Sequence, residues 1–349
     1  MSRSVAVHLP PEWAAQAAVL LAWPDPDSDF GPWLEAVEAT YRAIALEVTL
    51  RETLIVACRS KRLRDRVSRA LAESGVPMHR VRPLVVPYDD VWVRDMAPLT
   101  VATPQGPRLL GFRFNGWGGK YPHASDARFA RRLHETGLFP ATPFQEVDLV
   151  LEGGSIESDG AGTLLATSRC LRNPNRNPAL SGAQIAQHLR RYLGVERLLW
   201  LEHGYLEGDD TDAHIDTLAR FCSPDTLAYS ACDDPTDPLF EELRAMGDQL
   251  RAFTDAAGRP YRLLPLPIPK PIYGDSGQRL PASYANFLII NGAVLVPVYG
   301  DPADRVALER LAQGFPDRCI VAIDCTYLIR QYGSLHCATM QFPNIVGVL

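Results

Sequence analysis

Seven cysteines are spread along the 349 residues, and the one at position 337 differs in its setting. Cys337 ends the stretch GSLHC, with glycine, serine and histidine before it, whereas most of the others lie in apolar runs such as LIVACR, where a thiol is a small apolar filler. A metal role for it is poorly supported. Adjacent His336 and Cys337 point to opposite faces of an extended segment, and no second thiolate stands at ligand spacing. A nucleophilic cysteine acts through its thiolate, so a cationic neighbour or a cationic substrate has to lower its pKa.

Acids and one histidine elsewhere offer partners. In DTDAHIDTLARF, His214 and Asp216 share one face if the segment is extended, with Ile215 on the other. Glu152 closes the apolar run DLVL ahead of two glycines, where a carboxylate is costly to desolvate unless a cation or donors meet it. In YDDVWVRD, Asp95 follows Arg94 and Trp92, with Asp89 and Asp90 upstream, and Trp117 stands in NGWGGK. Each has a plainer reading: a surface ion pair, a solvated turn, a structural histidine, packed aromatics. Acids crowded round a thiol raise its pKa, which makes sense only if the substrate is itself positive. Carboxylates, flat aromatic walls and a thiol together describe a guanidinium pocket. Attack of sulfur on the guanidinium carbon would displace ammonia, and water would then release a ureido product. A cysteine hydrolase acting on amide carbonyls would use the same thiol and imidazole but would need oxyanion donors instead of acids.

The elements that must position these groups repeat. Amphipathic helices are expected near 61–73, 126–136, 183–193, 239–256 and 303–313, four of them closed by Gly75, Gly137, Gly194 and Gly258. An apolar, strand-like run precedes and another follows each helix. The preceding runs start at 53, 108, 163, 226 and 293, which are 55, 55, 63 and 67 residues apart. Such a period marks a repeat whose units bury their apolar faces on one another. Five units could close into a ring with helices outside and no free sheet edges, giving one α/β domain over residues 1–349. The polar segments after the second strand of each unit would then converge on the axis. An open doubly wound sheet is the alternative, but no dinucleotide-binding or P-loop glycine pattern follows any strand.

A net charge of −6 argues against a nucleic-acid partner. The odd cysteine count without C-x-x-C spacing points to a reducing, cytoplasmic setting, and neither a signal segment nor a membrane-length apolar run is evident.

At these residues the chain resembles the agmatine deiminase family and its bacterial peptidyl-arginine deiminase relatives, within the superfamily of guanidino-modifying five-bladed α/β propellers, or penteins. The resemblance runs through PEWAAQAAVLLAWP, DDVWVRDMAP, FNGWGGKY, DLVLEGGSIESDG, CLRNPNRNP, HIDTLARF, RLPASYANFLIINGAVLVPVYGD and GSLHCATMQ. It implies pseudo-symmetric ββαβ units around a central cavity, with Cys337 as nucleophile, His214 as general acid and base, and Asp95 and Asp216 as guanidinium-binding carboxylates. Glu152 would pair with His214, and Trp92 and Trp117 would wall the pocket. No metal or organic cofactor is implied, and a homo-oligomer is compatible. The implied reaction is hydrolysis of agmatine to N-carbamoylputrescine and ammonia, towards putrescine; another guanidine, such as peptidyl-arginine, is the alternative substrate. The chain departs from the family pattern where relatives read ETNGHVDN, having Asp212, Ala213 and Thr217 there. It has Glu157 in place of a usual histidine, and QYGSL in place of a glycine run. The extra acids Asp212 and Glu157 would either hold the distal ammonium of agmatine or mark a different cationic guanidine.

Overall fold

The computed structural model describes residues 7–349 and is built from five separate small sheets. Four of them share one connection. A hairpin places a strand antiparallel to a central strand, and a helix then leads to a third strand parallel to it. The strand sets are 99–103, 106–113 and 144–150; then 157–158, 163–167 and 197–201; then 219–223, 226–231 and 262–267; then 288–290, 293–298 and 319–324. The central strands are the runs that the sequence placed before each helix, and three of them, Thr163–Thr167, Thr226–Ala231 and Ala293–Val298, are nearly continuous buried segments because both faces are covered.

The remaining sheet joins the two ends of the chain. Its strand Gln16–Ala22 lies parallel to Thr53–Cys58, which lies parallel to Val81–Val85, and Gln16–Ala22 pairs on its other side with the last strand, Thr339–Pro343. The sequence reading began its repeat at residue 53 and passed over both Gln16–Ala22 and the helix Leu34–Thr49. The strand has no alternation to betray it, being almost wholly buried. The helix does carry a stripe, with Val37, Tyr41, Ile44 and Val48 facing the core.

The expected helices form at Lys61–Glu73, Phe129–Glu135, Gly182–Leu193, Phe240–Ala252 and Ala303–Gly314. Gly182–Leu193 starts at a Ser181–Gln184 capping box and stops at Gly194, whose left-handed backbone and close approach to the Val7 carbonyl exclude a side chain. Gly258 is no such cap. Its helix ends at Ala252, and Gly258 serves a separate turn closed between Asp255 and Arg259. Among the described residues no helix is long and apolar enough to cross a membrane.

Charged side chains from distant segments meet in the interior. Arg220, fully buried, donates from Nε to Glu157 at 2.8 Å, from Nη2 to Glu12 at 2.7 Å and from Nη1 to the Phe287 carbonyl at 2.8 Å. Glu157 is therefore this arginine's partner, not the ammonium-binding acid weighed from the sequence. His336 bridges Asp216 through Nδ1 and Glu12 through Nε2, both at 2.8 Å, and the Arg94 guanidinium stands 3.8 Å from Glu12. Burial raises the Glu12 pKa, but Arg220, His336 and Arg94 together hold it well below the carboxylate range. Burial and the two arginines pull the His336 pKa down against the pull of Glu12 and Asp216. Both ring nitrogens nevertheless face carboxylate oxygens at hydrogen-bond distance, so the Asp216–His336–Glu12 line carries two protons.

Breaking one member of such a web strands its partners as buried charges. Glu12→Gln is expected to cost about 3–5 kcal/mol in urea unfolding. A loss below about 1 kcal/mol, the range of an exposed ion pair, would contradict the web's place in the fold.

Candidate active site

Cys337 opens onto a cavity of about 510 Å³, its solvent-open mouth included. Trp92, Asp95, Trp117, His214, Asp216 and Cys337 all line it. Six of the sequence-selected residues are thus brought together from four separate stretches of chain.

Asp95 sits in the helical turn Val93–Met96. Its Oδ2 accepts the Trp117 indole N–H at 2.9 Å, and its Oδ1 accepts the Gly154 amide at 2.9 Å. Burial pushes its pKa up to about 6, with the Asp216 charge adding to the rise and His214 opposing it. Gly154 has no room for a side chain: a Cβ there would come within 2.8 Å of Asp95 Oδ1 and His214 Nδ1 and 3.0 Å of Asp216 Oδ2. Gly333 is excluded from substitution in the same way by the Trp92 ring.

His214 and Asp216 do not lie on an extended strand as expected. His214 caps a short 3₁₀ turn, Ile215–Thr217, that contains Asp216, and both still line the cavity while Ile215 is buried. His214 Nδ1 is 3.7 Å from Asp95 Oδ1. Burial disfavours the imidazolium, but Asp95 and the neighbouring Cys170 and Glu152 raise the His214 pKa well above the ordinary value. Asp216 shows the reverse. Burial alone would raise its pKa, yet the His336 hydrogen bond and charge hold it low.

The Cys337 sulfur is 3.7 Å from Asp216 Oδ2 and 3.3 Å from Asn286 Nδ2. Asn286 Oδ1 also accepts the backbone N–H groups of His336 and Cys337 at 2.9 and 3.3 Å, which pins the turn that presents the thiol. Burial, then Asp216 and Asp95, push the thiol pKa well above its usual value. The resting site therefore pairs a neutral thiol with a charged imidazole.

Glu152 stands near His214 as expected, but neither Glu152 nor Asp212 lines the cavity. Glu152 is fully buried outside the cavity lining, and its two oxygens take the Arg176 Nε–H at 2.9 and 3.0 Å. Its carboxylate, the Cys170 sulfur and a His214 ring nitrogen lie within 4.8 Å of one another, so it is the neighbour of His214 and the partner of Arg176. Asp212, expected to hold a substrate ammonium, is also absent from the lining. Its charge meets Arg176 at 2.6 Å and Lys120 at 2.9 Å.

Besides Asp95 and Asp216, the acids that line the cavity are Asp29, Asp90, Asp209 and Asp210. Burial, with the charges of Asp29 and Asp210, pushes the Asp90 pKa up to about 7. Asp210 is raised by burial as well, although it accepts the Tyr121 hydroxyl at 2.7 Å. Asp90, Asp210 and Asn286 stand inside stretches already singled out, whereas Asp29, in DPDSDF, carried no signal. Strain gathers here too. The four non-glycine residues with positive φ among those described are Trp117, Asp212, Ala213 and Tyr332, each lining the cavity or immediately preceding His214.

Residues 8–343 match the family model described as Porphyromonas-type peptidyl-arginine deiminase. The chain belongs to this deiminase family. It is 33% identical to an agmatine deiminase from Pseudomonas putida, over 98% of this chain and 96% of the relative. A cysteine-to-serine variant of C. jejuni agmatine deiminase, solved with substrate bound, superposes with a TM-score of 0.87 at 33% identity, covering 98% of this chain and 97% of that one. A structure from Porphyromonas gingivalis, provisionally named an arginine deiminase, superposes with a TM-score of 0.91 at 44% identity, covering 97% and 99%. The mixed α/β fold is that of these deiminases.

A cavity lined by acids attracts a cation only while those acids are ionised. Asp90 and Asp95 gain protons as pH falls through about 7 and about 6, so the carboxylate attraction is present above that window and lost below it. Calorimetry with guanidinium and the Cys337→Ala protein is expected to show affinity at pH 5 at least about tenfold below that at pH 8. Equal affinities would contradict the assignment of these acids to the cation.

Proposed function

We propose that this chain hydrolyses agmatine to N-carbamoylputrescine and ammonia. The observation that carries the reading is the charge of the cavity lining: six aspartates (Asp29, Asp90, Asp95, Asp209, Asp210 and Asp216) and no lysine or arginine. Asp95 and Asp216 stand by the thiol, while the charges of Asp29 and Asp210 both act on Asp90, whose carboxylate accepts the Val91 N–H at 2.7 Å. Two acidic groups suit a substrate positive at both ends. The α-carboxylate of free arginine would meet only like charge.

The chemistry follows from the same groups. Asp95 and Asp216 accept the guanidinium N–H donors, and the walls Trp92 and Trp117 cover its faces. The bound cation offsets the acids that hold the thiol neutral, the thiol proton leaves to solvent, and sulfur bonds to the guanidinium carbon. His214, already protonated, gives its proton to the departing nitrogen, and the C–N bond breaks to release ammonia. The now neutral imidazole takes a proton from water attacking the S-bound carbon. Collapse of that adduct breaks the C–S bond and frees the ureido product. Agmatine and one water thereby become N-carbamoylputrescine and ammonia, with no cofactor.

We further read the five sheets as blades of one propeller, a single catalytic domain working in the cytoplasm. The shared connection of four sheets and the pairing of Thr339–Pro343 with Gln16–Ala22 support that reading.

Ammonia release from agmatine, arginine and an arginyl peptide tests the substrate. Agmatine is expected to exceed both in kcat/KM by about a hundredfold or more, since each rival carries groups the acidic lining opposes. Cys337→Ala should abolish release. Turnover of arginine or peptide but not agmatine would reject the proposal.

A further inference from the structure

The segment CLRNPNRNP takes no part in the chemistry above, yet one of its side chains is buried beside the site. The Arg176 side chain is 0% exposed, and all three nitrogens of its fork are engaged. Nε donates to Glu152 at 2.9 and 3.0 Å, Nη1 to Asp212 at 2.6 Å, and Nη2 to the Thr211 carbonyl at 2.8 Å. These acceptors come from the two segments that flank His214. Glu152 is its neighbour, and Thr211–Ala213 runs straight into it. The Thr211 hydroxyl also accepts the His214 backbone N–H at 3.1 Å. Asp212 and Ala213 both hold left-handed backbone, with φ of 66° and 68°, a conformation that persists only when its surroundings impose it. Asp209 ties this turn by accepting the Ala213 N–H at 2.6 Å, and Arg176 ties its other side.

We propose that Arg176 is a positioning residue for deimination: its fork fixes Glu152 and the Thr211–Ala213 turn relative to each other, and so aims His214 at the leaving nitrogen. The inference rests on the agmatine deiminase reading. It also gives Asp212, the acid that departs from the family pattern, its place as the fork's second carboxylate.

Arg176→Gln and Arg176→Lys test it, with active sites counted by alkylation of Cys337 with a cationic haloacetamidine, the Cys337→Ser protein serving as the blank for the exposed Cys319. Wild-type protein that releases no ammonia from agmatine overturns the parent reading and this inference with it; with an active wild type, the variants judge the inference alone. Each variant is expected to lose about a hundredfold in kcat per titrated site, as a displacement of about 1 Å does. KM for agmatine should stay within about threefold, because Arg176 does not line the cavity. Lysine keeps the charge but not the fork, so Arg176→Lys should recover thermal stability without recovering kcat. If Arg176→Gln does not fold, Asp212→Asn removes one arm only and should lower kcat about tenfold at unchanged KM. Wild-type kcat in Arg176→Lys or Asp212→Asn, or a raised KM with kcat intact, overturns the proposal.

Discussion

The site depends on one buried carboxylate being kept charged. Asp216 faces the Cys337 sulfur at 3.7 Å and is fully buried, where an isolated carboxylate would take up a proton. His336 prevents this from behind, Glu12 supports His336, and Arg220 and Arg94 support Glu12. The line starts before the first strand, passes through the middle of the chain and returns just ahead of the last strand. Buried ion pairs are a poor source of net stability, but a pair left incomplete is costly. The web therefore favours one arrangement of the five sheets over others, and that arrangement is the one that sets Asp216 under the thiol.

The same acids govern reactivity. Asp216 and Asp95 hold the Cys337 pKa up in the resting protein, and on the proposed reading they also attract the cation that relieves this. The substrate thus completes its own nucleophile, and a neutral electrophile does not. On the proposed reading, Asp95 also keeps His214 protonated, ready to give its proton to the departing nitrogen.

Much of this was legible because repeat and chemistry left separate marks. Each central strand and its helix showed as an apolar run followed by a 3.6-residue stripe, and Cys337, His214, Asp95 and Asp216 stood where those units end. What escaped has physical reasons. Gln16–Ala22 is buried on both faces and so lacks a period, and the Ile215–Thr217 turn looks like strand in a one-dimensional pattern. Acids were the hardest to place, since a sequence shows charge but not its partner. Asp212, Glu157 and Glu152 each proved to be matched by an arginine, Arg176 or Arg220, while Asp29, Asp90 and Asp210 were left to the cavity.

The central claim is that the cation, and not the resting protein, ionises Cys337. Ultraviolet titration of the thiolate, with Cys337→Ser as the blank, measures this directly with and without saturating guanidinium. The account predicts a thiol that stays protonated at pH 8 in the free protein and ionises at that pH once the cation binds. A thiolate already formed at pH 8 without the cation, or a titration that the cation leaves in place, would contradict it.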